Sequence, residues 1–218
     1  SHPGWKATFY DATPGWVYER IEAEGGGERP VVEGRPVGYA IEGCDGEPVA
    51  IPMYDNPTWR TAYWDMVRAL GKRYEADARI TAVVITTGLD GETQPLKDGK
   101  CGLNKRAEQQ ARPLSYPFFE FAMETIRVYR QAFPTKPIFI NNCPGGAGLR
   151  RDTSALSASL TPPVGLKNSG LWVDAENHQG LGKAYGSWDG IATYSSTVPI
   201  WLESAYGFGT PEHHYWAW

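Results

Sequence analysis

The sequence predicts an α/β protein built on parallel strands. Three observations carry this. Apolar runs of strand length alternate with longer stretches whose apolar residues recur at three- and four-residue steps, the period of a helix with one buried face. The later strands are spaced like βα units: Asn141 to Ser169 is 28 residues, and Ser169 to Glu203 is 34. Polar side chains gather where each strand should end: Asp11, Glu92, Asn141 with Asn142, Lys167 with Asn168, and Glu203. That is the edge on which parallel α/β proteins carry their sites.

Taken in order, Trp5 to Tyr10 (WKATFY) reads as a first strand ending at Asp11. ATPGW follows as a turn forced by Pro14-Gly15, with Trp16 just beyond it. Residues 24–50 are rich in Gly, Glu and Pro and lack helical period. They read as a long excursion from the rim of the domain, with a small hairpin around Glu33-Gly34. Asn56-Pro57 opens a helix, Asn as cap and Pro in the first turn. Its stripe is Trp59, Ala62, Tyr63, Met66, Val67, Leu70 and Tyr74, expected to pack on a sheet, with Gly71 weakening the end.

Thr81 to Glu92, TAVVITTGLDGE, is the organising stretch. It reads as a strand buried on both faces that runs into a Gly-rich turn and ends on a carboxylate. A polar loop reaches about Arg112. A helix from about Tyr116 to Phe133 follows, with Phe119, Ala122, Met123, Ile126, Tyr129 and Phe133 as its stripe and Pro134 as its stop. Then come strand Lys136–Asn142, helix Leu149–Leu160, strand Val164–Gly170 and a polar loop with Trp172, Asp174 and His178. A helical stretch from Trp188 to Tyr194 leads into Val198–Gly207, VPIWLESAYG, a second apolar strand that delivers a glutamate, Glu203. Thr210-Pro211-Glu212 looks like the cap and first turn of another helix.

No GxGxxG or GxxxxGK[ST] follows any strand, which removes the usual reason for an open nucleotide-binding sheet. A closed (β/α)8 TIM-type barrel is therefore expected. Five strands are found where a barrel has eight. The expectation is a partial barrel: residues 1–218 form part of a single catalytic domain, completed by self-association or by barrel segments of a longer polypeptide.

Composition narrows the function classes. The net charge of −4, with no basic run, argues against nucleic acid. No apolar stretch is long enough to span a bilayer. Cys44, Cys101 and Cys143 lie far apart without CxxC spacing, so no zinc site and at most one disulfide are expected. His213 and His214 would diverge on a helix, and Asp174 with Glu176 is a weak cation signal. No GxSxG elbow suggests a serine hydrolase. No secretory signal opens the chain, and localisation stays open. Nine Trp and twelve Tyr exceed what a core of this size needs, and flat apolar rings with polar edges suit sugars.

FYDATPGWV, YDNPTWRTAYWDMVRALGKRYEADARITAVVITTGLDGE and VPIWLESAYG together resemble the clan-A retaining glycoside hydrolases, nearest to β-galactosidase-like barrels. The similarity covers most of the chain through short motifs. It implies that strands three to seven of the barrel are present and that Tyr10 ends the third. It also implies that Glu92 on the fourth strand is the acid/base and Glu203 on the seventh the nucleophile. The substrate is then a carbohydrate, and neither cofactor nor metal is required. Asp11, Trp16, Asp90, Asn141, Asn142, Trp172, His178 and Tyr206 are the candidate substrate contacts; Trp59 and Trp201 are assigned to the core. One departure stands out. The clan carries Asn directly before its acid/base glutamate, to bond the sugar 2-hydroxyl, and this chain has Gly91. Either Asp90, Asn141 or Asn142 takes over that contact, or the site has changed substrate or lost activity. The rival expectation is a non-catalytic carbohydrate-binding or structural barrel in a larger assembly.

Overall fold

Four of the apolar runs form one parallel sheet, ordered as they occur in the chain. The computed structural model describes residues 13–24, 31–32, 35–36, 39–42, 48–51, 54–88, 93, 115–141, 147–171 and 187–204. The expected strand at 5–10, residues 94–112 of the loop after Glu92, the loop carrying Asp174 and Glu176, all three cysteines and the helix from Thr210 lie outside them. The chain divides into two compact units: Ser1–Met66 with Pro95–Phe121, and Val67–Gln94 with Ala122–Trp218.

The first unit begins with a helix where a turn was expected. α1 is Gly15–Ala23, and its first turn closes through Val17 N donating to Pro14 O at 2.9 Å. Val17 and Ile21, one helical turn apart, are both buried, which is the apolar spacing that overrides the turn signal of Pro14-Gly15. Trp16 is thus a helical residue, 55% exposed, not a residue beyond a turn.

β1 (Val31–Val32) and β2 (Arg35–Pro36) are antiparallel with Val32 opposite Arg35, so the hairpin brackets positions 33 and 34 as expected. A second hairpin, β3 (Tyr39–Glu42) with β4 (Pro48–Ile51), was not expected.

α2 is Pro57–Tyr74, and Asn56 caps it: its Oδ1 accepts from Trp59 N at 3.0 Å. α3 is Ser115–Ala132. Tyr54, Trp59, Phe118 and Phe121 make the aromatic core of this unit. The Tyr54 ring lies 4.9 Å from Phe118 at 75° and 5.6 Å from Trp59 at 90°. Such edge-on pairs add roughly 0.5–1.5 kcal/mol each beyond burial. Trp59 Nε1 finds its partner in Thr13 Oγ1 at 3.1 Å. On α3 it is Phe118 and Phe121 that are fully buried, while Phe119, expected in the stripe, is half-buried.

The stripe expected on α2 is also narrower than its apolar residues suggest. Met66 and Leu70 are 48% and 38% exposed. Burial instead follows the four-residue row Trp59, half-buried Tyr63, Val67 and Gly71. The reason is the partner. Helices pack on such ridges, and in the second unit Gly71 lies directly on Ala132 of α3. A Cβ at Gly71 would sit 2.3 Å from Ala132 O, so the glycine is what allows the approach and is not merely a weak point.

The sheet of the second unit runs β5 (Val83–Ile85), β6 (Ile138–Asn141), β7 (Gly165–Leu171) and β8 (Ile200–Ser204), all parallel. α4 (Ala147–Ser159) connects β6 to β7 and packs on β7; α5 (Ser187–Tyr194) precedes β8 and packs on α4. β5 is shorter than the strand expected from Ile80. Val83 and Val84 are half-buried, not enclosed on both faces.

The two faces of the sheet differ. Ile85, Ile140 and Leu166 pair in one row with Ile200, and Ile138 lies one step back on the same face. Ile85, Ile138, Ile140 and Leu166 are all 0–1% exposed. The other face carries Val84, Phe139 and Gly165, then Asn141, Lys167 and Trp201. Here Val84, Phe139 and Lys167 are half-buried and Trp201 is 40% exposed. The assignment of Trp201 to the core is therefore wrong, whereas Trp59, 7% exposed, is core.

The N-terminal end of the sheet is held by polar clamps. Buried Arg130 donates to the carbonyls of Phe133, Lys136 (2.8 Å) and Pro162 (3.4 Å). Burial lowers its pKa from the usual arginine value, with the Glu75 charge opposing. Lys136 Nζ donates to Asp77 O at 2.9 Å. No described helix is long and apolar enough to cross a membrane.

Candidate functional site

The site is built by strand register. β6, β7 and β8 bring Asn141, Lys167 and Trp201 into one lateral row, because Asn141 pairs with Lys167 and Lys167 with Trp201. One step further toward the C-terminal ends, Ser169 pairs with Glu203. Side chains alternate along a strand, so positions 141, 167, 201, 169 and 203 share the open face. A register shift between Ser169 and Leu171 follows at once, an irregularity of the kind found near active sites.

Gly165 makes this row possible. A Cβ there would lie 2.5 Å from the Phe139 ring and 2.7 Å from Pro199 O. The Phe139 ring occupies that space and meets Trp201 edge-on, with ring centres 5.3 Å apart at 88°. The indole is thus fixed at one edge while much of it stays in solvent.

Asn141 is the buried polar member of the row, 5% exposed. Its backbone carbonyl accepts from Thr93 Oγ1 at 2.5 Å, and Thr93 is itself 2% exposed. Thr93 is thus held at the end of β6. Among the described residues the Asn141 side-chain Oδ1 is buried without a hydrogen-bond partner, as is Thr87 Oγ1 just past the end of β5. Buried polar atoms are normally paired, so an orphan acceptor at the end of β6 is an exception.

Of the residues expected at the site, Asn141 lies in this row, and the backbone of Glu203 lies on β8 opposite Ser169. Trp16 lies in the other unit, on α1. Asp11, Asp90, Glu92, Asn142, Trp172, His178 and Tyr206 lie outside the described residues. Lys167, Trp201 and Thr93 were not expected as site residues. Period-two alternation from Glu203 back to Trp201, combined with βα spacing, would have found the first two. No sequence signal marks Thr93.

Among the described residues no three His, Cys, Asp or Glu side chains cluster as metal ligands would. No family model, characterised protein or solved structure matches the chain.

Proposed function

We propose that the protein is a retaining glycoside hydrolase of (β/α)8 type, cleaving a glycosidic bond through a covalent glycosyl-enzyme. One observation carries the reading. Consecutive parallel strands bring Asn141, Lys167 and Trp201 into one register row, and Thr93 is hydrogen-bonded to the end of β6.

The strand order supports a barrel over an open doubly wound sheet. A doubly wound sheet reverses its order at a switch point. Here four strands follow one another without reversal. Crossovers are right-handed in nearly all parallel units, so an unreversed order puts successive helices on one face and leaves the other for a barrel interior. The contrast between the enclosed Ile85–Ile140–Leu166 row and the open Lys167–Trp201 row agrees with that.

In the mechanism Glu203, ionised, attacks the anomeric carbon, while Glu92, protonated, donates to the leaving oxygen. Glu92 then takes a proton from the water that hydrolyses the glycosyl ester on Glu203. This needs the two carboxyl groups about 5–5.5 Å apart. Asn141 and Lys167 supply an amide and a cation to bind hydroxyl groups, and no cofactor takes part. The reading is tested by kinetics on aryl β-glycosides. Glu203→Ala is expected to abolish turnover, whereas Glu92→Ala should spare activated aryl substrates more than natural ones, since a good leaving group needs no protonation. Undiminished turnover in Glu203→Ala would sink the proposal. The non-catalytic carbohydrate-binding reading draws on Gly91 standing where the clan carries Asn; saccharide binding without hydrolysis in the unaltered protein would favour it.

A further inference from the structure

We infer that Thr93 is the positioning residue for Glu92, the proton donor of the proposed reaction; this rests on the glycosidase reading. A retaining mechanism needs its two carboxyl groups about 5–5.5 Å apart through both steps. The nucleophile has its backbone in a hydrogen-bonded ladder. Glu203 pairs with Ser169 of β7, and β7 pairs with β6 through Lys167 and Asn141. Thr93 is tied to the same ladder. Its Oγ1 donates at 2.5 Å to the carbonyl of Asn141, the last residue of β6. Thr93 is 2% exposed and Asn141 5%, so the bond is sheltered from water.

The sequence supplies the reason for an anchor at this position. Glu92 is the residue before Thr93, and Gly91 stands directly before Glu92, with Gly88 three residues earlier. Glycine adopts either sign of φ and restrains its neighbours least of all residue types. Restraint from the N-terminal side is therefore weak by composition, and the residue on the C-terminal side is the one fastened to the sheet. Consecutive Cα atoms are about 3.8 Å apart, so a fixed Thr93 limits how far its neighbour can stray. An acid displaced by about 1 Å can lose about a hundredfold in rate. The hydroxyl of Thr93 has its proton committed to the Asn141 carbonyl, so its effect passes through Glu92. Losing the bond should then hinder protonation of the leaving group and not the attack by Glu203.

The test compares the unaltered full chain with Thr93→Val, Thr93→Ser and Glu92→Ala. The substrates are the dinitrophenyl and phenyl β-D-glucosides, β-D-galactosides and β-D-xylosides. Dinitrophenolate leaves without a proton, whereas phenolate needs one. Thr93→Val removes the donor and is expected to lower kcat/KM about tenfold on the phenyl substrate but only about twofold on the dinitrophenyl one. Glu92→Ala should show the same bias more strongly. Thr93→Ser keeps a donor and should hold the phenyl rate within about threefold. An equal loss on both substrates in Thr93→Val, or no loss on either, overturns the positioning role; if Glu92→Ala keeps its bias, the glycosidase stands. No such bias in Glu92→Ala, or an unaltered protein that hydrolyses none of the glycosides, overturns the glycosidase reading and the inference with it. If Thr93→Val fails to fold by near-ultraviolet circular dichroism, Thr93→Ser decides: a phenyl rate within about threefold upholds the inference, and a larger loss despite the retained donor contradicts it.

Discussion

Replacing Gly71 by alanine sets two effects of opposite sign against each other. Within a helix, alanine is favoured over glycine by about 1 kcal/mol, so propensity alone would stabilise the protein. The structure says otherwise. The new Cβ would meet Ala132 O at 2.3 Å and Ala132 C and Cβ at 2.8 Å. Carbon atoms rest at about 3.5–4.0 Å, so α2 and α3 would have to part by roughly 1 Å. The nearest atoms are backbone and cannot rotate away, and overpacking of this kind costs about 1–3 kcal/mol. The steric cost should win, leaving a net loss of up to about 2 kcal/mol. In urea unfolding, with a slope near 2 kcal/mol/M, the midpoint should fall by up to about 1 M. Gly148→Ala is the internal control. Gly148 is an exposed residue of α4 with no described atom within 4 Å of its would-be Cβ, so propensity acts alone and the midpoint should hold or rise. A Gly71→Ala midpoint at or above that of the unaltered protein would refute the close helix approach.

Three further outcomes are expected. Asn56→Ala removes the cap on Trp59 N and should cost about 1 kcal/mol in urea unfolding, whereas Asn56→Asp should retain most of it. Arg130→Met strands the buried carbonyl partners of Phe133 and Lys136 and should cost about 3 kcal/mol, with Arg130→Lys restoring only part because an ammonium cannot span them as a guanidinium fork does. The Asp77 carboxylate is held below its usual pKa by hydrogen bonds from the Arg79 side chain, then by the Arg79 backbone N–H and the Lys136 charge. A lowered acid pKa gives stability that is complete above the unfolded value near 3.9 and lost as pH falls through the folded one. The melting temperature of Asp77→Asn should therefore lie below that of the unaltered protein at pH 7, and the gap should narrow as pH falls below about 3.9 and close only below the lowered folded-state pKa.

Much of the fold was legible because periodicity is a local signal. α2, α3, α4 and α5 and strands β6 and β7 lie within a residue or two of where apolar spacing and Pro or Asn punctuation put them, and β8 falls within the expected Val198–Gly207. α1 was not, because Pro14-Gly15 speaks for a turn and the helix depends on Val17 and Ile21 finding cover, which is a tertiary fact. The α2 stripe failed for a related reason. Hydrophobicity says which residues prefer cover, but the partner at Gly71 decides which face receives it. At the site, Asn141 and Glu203 were legible as strand ends. Trp201 was misread, because the apolar run VPIWL looks enclosed on both faces and only the register reveals that one of them is open. The Thr93 anchor pairs a loop residue with a carbonyl of a strand 48 positions away, and no local pattern announces that.

The most direct test of the account is covalent capture of the nucleophile. The protein is incubated with the 2-deoxy-2-fluoro analogue, bearing a good leaving group, of whichever β-glycoside it hydrolyses. A retaining enzyme then stalls as the glycosyl ester, and peptide mass spectrometry locates it. The account expects one stoichiometric adduct on the peptide containing Glu203, absent from Glu203→Ala. An adduct on a different carboxylate, or hydrolysis that releases sugar of inverted anomeric configuration, would contradict it.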